Sequence, residues 1–366
     1  MVEALRELLP IFAAAYLLDC VMRVGPSEVL FSSAGGRRFR LCGPGFHLGG
    51  ALPAARAYSA QRLPLLLAPQ GAFVPQFPAL FGAQLSSAEC YRFAPYEEME
   101  VAADEERLVL GDAGTLTLLC RQESARVAEL LRKLARSSPP ARGREIEGFL
   151  AARFDRELVA STAEQANAAY RPLERLGTTL FALLFVALPV AVYVPEPSPA
   201  PAAVLLAAAA LNYTTLAVLA ARAARRLRGH GIVAPRGAVA AICMFPPAAV
   251  HAAEGLGRHA LAAFEPVAAA AQLLPREEVL RLARFELHAA DHAAESGDAA
   301  WRAAWALRRH ELLRLFGHAG IGIDEASAPP LRRDAAAHGY CVVCEAEFVQ
   351  PLERCPECEA PLLRYT

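Results

Sequence analysis

Gly177–Val194 reads GTTLFALLFVALPVAVYV and Ala202–Ala221 reads AAVLLAAAALNYTTLAVLAA, eighteen and twenty residues without a charge. Each run is long enough to cross a hydrocarbon core about 30 Å thick as a helix. Between them the proline-rich link Pro195–Pro201 (PEPSPAP) cannot continue a helix and leaves room only for a tight connection. Soluble cores seldom need two uninterrupted apolar runs back to back, so the pattern predicts a transmembrane hairpin over residues 176–222.

Charge sets the orientation. Arg171 and Arg175 precede the first run and Arg222, Arg225, Arg226 and Arg228 follow the second, whereas the link carries Glu196 and no base. The positive-inside rule places both flanks in the cytoplasm, so the expected location is the bacterial cytoplasmic (inner) membrane, with the lipid bilayer as a partner. Asn212, Tyr213, Thr214 and Thr215 lie at mid-depth beside Ala207–Ala210, a composition suited to close helix packing. Neither run holds an acid or a base, which argues against an ion or solute pathway.

The whole chain of 366 residues has a formal net charge of -1 and exerts no long-range pull on nucleic acid. Its N-terminal part, residues 1–24, contains LLPIFAAAYLLDCVMRV at Leu8–Val24, apolar apart from Asp19 and Arg23. It lacks the basic leader and small-residue cleavage site of a signal peptide, so it reads as a membrane-associated helix: a first span with its N-terminus outside, the favoured reading, or a helix lying on the membrane or packed on the hairpin.

Residues 25–138 predict an α+β domain. Glu28–Ser33 and Arg37–Leu41 read as a hairpin turned by Gly35 and Gly36, and Leu63–Leu67 as a strand before the turn Ala68–Gly71. Glu97–Ala102, Leu108–Gly111 and Thr115–Cys120 read as a meander. A helix from Ser124 then carries Val127, Leu130, Leu131 and Leu134 at helical spacing. In the order of its elements this meander and helix resembles bacterial pleckstrin-homology-like domains. Residues 144–175 predict one connecting helix whose charges, including Glu147, Arg153 and Glu157, form a solvated face.

After the hairpin, Gly237–Ala253 is apolar but broken at Pro246–Pro247, which leaves half a span and predicts packing on the bilayer surface or on protein. Residues 237–325 predict a helical domain, clearest over Arg276–Ala290 and Asp298–Gly317. In the second of these, Trp301, Trp305, Leu312, Leu313 and Leu315 form a stripe that faces a core.

Two groups could bind metal. His288 and His292 share a helix face near Glu286 and Asp291, but Ala289 stands where zinc proteases place a glutamate, and no third ligand follows. At the C-terminus, Cys341-Val-Val-Cys344 and Cys355-Pro-Glu-Cys358 are two knuckles that together offer four thiolates, a set suited to zinc. The other five cysteines, Cys20, Cys42, Cys90, Cys120 and Cys243, are scattered and read as small buried hydrophobes.

Within the terminal part, residues 339–366, the stretch from Gly339 to about Tyr365 resembles the zinc-ribbon family and, more distantly, rubredoxin-type iron sites. In both, a glycine commonly follows the second cysteine of a knuckle; Glu345 and Glu359 stand there instead, which weakens the iron reading. The resemblance implies a closed, structural Zn2+ site. Around it Glu345, Glu347, Glu353, Glu357 and Glu359 outnumber Arg354 and Arg364, so a nucleic-acid partner is not expected. A protein partner or the chain's own helical domain fits better, with Pro329–Pro330 in a flexible tether.

The sequence therefore predicts a mixed α+β membrane protein. Its parts are a β-rich cytoplasmic domain, a membrane hairpin, a helical domain and a terminal ribbon, and its role is that of a non-enzymatic interaction or scaffold protein. The alternative is a membrane-bound enzyme or redox protein using iron at the four cysteines or a metal at His288 and His292. No small-molecule substrate is indicated.

Overall fold

The computed structural model describes residues 2–21, 23–24, 28–32, 38–42, 46–47, 57–76, 79–80, 83–84, 90–194, 199–228, 232, 236–295, 297–357 and 361–365. The fold is mixed α+β and mostly helical. Helix α1 (Val2–Val21) leads into β1 (Arg23–Val24), β2 (Glu28–Ser32), β3 (Arg38–Cys42), β4 (Phe46–His47) and β5 (Ala57–Ala60). β1 pairs with β4, and β2 lies between β3 and β5, all antiparallel. The expected hairpin is thus β2–β3 with a third strand added; its turn, residues 33–37, lies outside the described residues.

A second sheet holds β6 (Leu66–Ala68) and β7 (Gly71–Gln76). After β8 (Ala79–Leu80) and β9 (Ala83–Gln84), which pair with each other, β10 (Cys90–Ala94) completes it, with β7 in the centre. β6 starts three residues later than the sequence suggests, because Pro64 has no N–H to give to a ladder. The meander follows as β11 (Val101–Asp104), β12 (Arg107–Leu110) and β13 (Thr115–Thr117). A short helical turn at Tyr96–Glu98 takes the place of the expected start of its first strand. Leu108, Leu110, Leu116 and Leu118 are buried in one cluster with Val127, Leu131 and Leu134 of α2 (Arg121–Arg136).

The connecting segment is two helices, not one. α3 (Pro139–Phe154) stops where the Asp155 carboxylate accepts from Leu158 N at 3.0 Å, capping a new helix, α4 (Arg156–Phe181). Nor is its charged face wholly solvated: Arg153 is 4% exposed and pairs with Glu123. α4 runs through a widened turn, Ala182–Ala187, into α5 (Leu188–Tyr193); Pro189 cannot donate to the carbonyl four residues back, and the helix widens just before it. Residues 195–198 of the link lie outside the described residues, while Pro199 and Pro201 open α6 (Pro199–Arg228), since the first turn needs no donor.

Arg156–Tyr193 and Pro199–Arg228 are long and apolar enough to cross a membrane. Only 22% and 17% of their most apolar windows are buried inside the molecule, unlike the core helices of a soluble protein. Val190, Val204 and Leu211 are 62%, 68% and 71% exposed. α1 lies along this pair: Leu5 clusters with Leu188, Val192 and Ala202, Arg6 Nε donates to Val192 O at 3.1 Å, and the Tyr16 ring meets Phe181 and Phe185.

Beyond α6 come α7 (Arg236–Met244), α8 (Pro246–Val250), α9 (Ala252–Gly257), α10 (Pro266–Leu273), α11 (Arg276–Glu295), α12 (Ala299–Ala319) and α13 (Ile323–Ser327). α10 packs on β2 and β5 and α12 on β6 and β10, so strands and helices share one core. The Trp301–Trp305 stripe accordingly meets Tyr91 of β10 as well as helical neighbours. The chain ends in β14 (Gly339–Cys341), β15 (Glu347–Phe348) and β16 (Leu362–Arg364), antiparallel with β14 central. A Cβ on Gly339 would stand 2.6 Å from Leu363 O, so only glycine lets β14 lie this close to β16.

Candidate metal centre

The first knuckle forms at the end of β14. Cys341 N donates to Ala346 O at 3.0 Å, Glu345 N to Cys341 O at 2.9 Å, and Val343 N points at Cys341 Sγ at 3.4 Å. This tight turn brings Cys341 and Cys344 to one side, where Cys355 meets them. The three sulfurs lie within 4.8 Å of one another, and Cys344 Sγ and Cys355 Sγ are 3.7 Å apart. Zinc–sulfur bonds of about 2.3 Å in a tetrahedron require sulfurs about 3.8 Å apart, so the spacing suits such an ion. Cys341 and Cys355 are fully buried, and Cys344 is partly so. Burial pushes the Cys341 thiol up to about 11. Cys358 lies outside the described residues. A cluster of three cysteines that could bind a metal ion is therefore present; it is the sole such group among the described residues.

Glu345, the residue after the second cysteine of the knuckle, takes a left-handed backbone with φ 55°. That conformation costs an ordinary L-residue roughly 1–2 kcal/mol. Its side chain has a compensating role: the carboxylate accepts from Arg284 Nη1 on α11. Arg284 Nε also donates to Ala328 O at 2.6 Å. One turn earlier, Arg281 donates to Val343 O at 3.2 Å and to Phe39 O at 3.4 Å, its guanidinium lying 4.1 Å over the Phe39 ring. Two arginines of one helix thus hold the knuckle against α11, and Arg281 ties both to β3.

The chain just after the expected tether at Pro329–Pro330 is held. Glu347 accepts from Arg333 N at 2.7 Å, Asp334 N at 2.8 Å and Tyr365 Oη at 2.8 Å, and Arg332 donates to Ala337 O at 2.6 Å. Two of the acidic residues of the ribbon are therefore internal fasteners.

The second candidate does not assemble. The His288 and His292 rings stack 6.2 Å apart, but Asp291 is paired with Arg309 at 2.5 Å. Glu286 points into the protein, where Arg62 and Arg308 bind it. No third ligand joins the two histidines among the described residues.

Glu286 belongs to a buried ionic cluster. Arg308 Nη2 lies 2.5 Å from Glu265 and 3.4 Å from Glu286, and Arg308 Nη1 lies 3.7 Å from Glu311; all four side chains are less than a tenth exposed. Burial opposes charge on Glu286, yet Arg62 and Arg308 hold it below the usual carboxylate range. Burial raises Glu311 to about 7 despite Arg308. The cluster joins α10, α11 and α12 to the loop carrying Arg62 and has the hallmarks of a structural tie. A periodic signal for it exists: position 308 continues the 301, 305, 312, 315 stripe, so its arginine falls on the buried face.

No family model, curated protein or solved structure matches the chain.

Proposed function

We propose that this chain is an integral membrane protein that carries a metal-stabilised ribbon fixed to its own cytoplasmic body, and that it acts as a scaffold or interaction protein. The observation that carries this reading is the Arg281 and Arg284 grip on the knuckle: a metal site built on docked backbone is a folding element rather than a reaction centre. Exposed valines and leucines on α5 and α6, and the arginines at their far ends, support membrane spans with both flanks inside. The course of α1 along both helices, from Leu5 beside Val192 to Tyr16 beside Phe181, supports a third span with its N-terminus outside.

Cys358 would complete a site of four cysteines. Four thiolates leave no open position for substrate or water, so the metal would add fold stability and nothing catalytic. Zinc is the ion this donor set favours. The test is metal analysis of protein purified from membranes: one zinc per chain is expected, lost in Cys355→Ser. Bound iron, or full metal retention in that variant, would refute the reading.

A further inference from the structure

The segment between α6 and α9 turns back on itself beside α6. Near its start, Ile232 N donates to Leu227 O at 3.0 Å, at the arginine end of α6. Near its end, Val250 O lies where a Cβ on Gly177 would come within 2.5 Å, at the first residue of the first apolar run. Its two ends therefore stand at the same edge of the helix pair. Between them the elbow reaches Tyr213, whose hydroxyl donates to Cys243 O at 2.6 Å. Tyr213 is eight residues inside the end of the apolar run at Ala221. At 1.5 Å per residue that is about 12 Å, close to the middle of a hydrocarbon core about 30 Å thick.

The elbow has the chemistry such a depth demands. Pro246 and Pro247 have no N–H, so Ile242 O and Cys243 O lose the donors a continuous helix would supply. An orphan carbonyl in hydrocarbon costs several kcal/mol, and Tyr213 removes one of the two. Ile242 faces protein and is 3% exposed, whereas Met244 is 82% and Phe245 39% exposed. On α6, Leu211 and Val218 are likewise exposed, at 71% and 43%.

We infer that residues 236–250 form a re-entrant hairpin, entering and leaving the bilayer at the cytoplasmic side. It offers Met244 and Phe245 to lipid acyl chains and is held at depth by Tyr213, a positioning residue. The inference rests on the reading of α4–α5 and α6 as membrane spans. It is tested with full-length Met244→Trp in vesicles of phosphatidylcholine brominated either near the chain ends or near the headgroup. The native protein supplies the Trp301 and Trp305 background, and Leu211→Trp reports on the span.

Greater loss of Met244→Trp emission with the deep bromines is expected, moving to the shallow ones when Tyr213→Phe is added. Stronger shallow quenching of Met244→Trp beside deep quenching of Leu211→Trp would overturn the hairpin while leaving the spans intact. If Leu211→Trp is unquenched by either lipid, the membrane reading itself fails. A depth profile unchanged by Tyr213→Phe would overturn the role of that hydroxyl.

Discussion

Glu345, held in a left-handed backbone, gives its carboxylate to Arg284, so the residue that closes the first cysteine knuckle is also the one that fastens the ribbon to α11. This separates two roles that a glycine in that place would leave unseparated. Glu345→Gly should leave the cysteine cluster and any metal it binds in place, because glycine suits the backbone, but should loosen docking. Hydrogen exchange at residues 339–348 should rise in Glu345→Gly and in Arg284→Ala alike. Unchanged exchange in both would show that the grip contributes nothing.

Arg308 is the common partner of Glu265, Glu286 and Glu311. Arg308→Met would leave buried carboxylates uncompensated, and removing one partner of a buried pair typically costs about 3–5 kcal/mol. Chemical denaturation followed by Trp301 and Trp305 fluorescence should show a loss of that order, since both indoles sit on the same helix. A loss below about 1 kcal/mol, the size of an exposed ion pair, would contradict the buried tie.

Glu311 gives stability a pH dependence of defined sign. Its folded value, raised to about 7 by burial, lies above the ordinary 4.5. The protonated folded form is favoured, so this contribution is complete below the ordinary value and is lost as pH rises through about 7. Arg308, Glu265 and Arg153 are the charged groups acting on it. Glu311→Gln should remove the decline, gaining roughly 3 kcal/mol at most above pH 7, at about 1.4 kcal/mol per pKa unit. His259, which burial lowers to about 4, works in the opposite sense and loses its contribution as pH falls below 6.5. Denaturation midpoints of the variant and wild type should therefore diverge as pH rises and converge in acid.

Gly177 admits Val250 O where a methyl group would collide with it at 2.5 Å. Gly177→Ala should push α8 away from α4 at a cost of about 1–3 kcal/mol, the usual range for overpacking. Thermal unfolding in detergent should report it. Gly148, with no neighbour within 4 Å of an added Cβ, is the control, and Gly148→Ala should be neutral or slightly stabilising.

The features legible in the sequence were those with a strong period or fixed spacing. The two apolar runs became α4–α5 and α6, the meander and its leucine-bearing helix formed, with the first strand starting at Val101 rather than Glu97, and Cys341, Cys344 and Cys355 met. Features that depend on distant partners were not legible. Arg153 reads as an ordinary helix-surface charge and Glu286 as a neighbour of the His288 and His292 pair, because Glu123, Arg62 and Arg308 are remote in the chain. The break at Asp155 was open to reading, since an aspartate three residues before Leu158 is a helix cap, but the surrounding helix-forming residues masked it. The elbow at Pro246 shows itself in the sequence as a break; its contact with α6 depends on the bond from Tyr213, thirty residues away.

The central claim, a membrane-anchored body that holds a metal ribbon on its cytoplasmic side, is tested most directly by proteolysis of carbonate-washed vesicles of both orientations, with and without a chelator. The account predicts that the chain stays in the membrane. Residues beyond Ala328 should resist protease in inside-out vesicles until the metal is stripped, and should be out of reach in right-side-out vesicles throughout. Release of the chain by carbonate, cleavage of the ribbon from the outer side, or a ribbon indifferent to the chelator would contradict it.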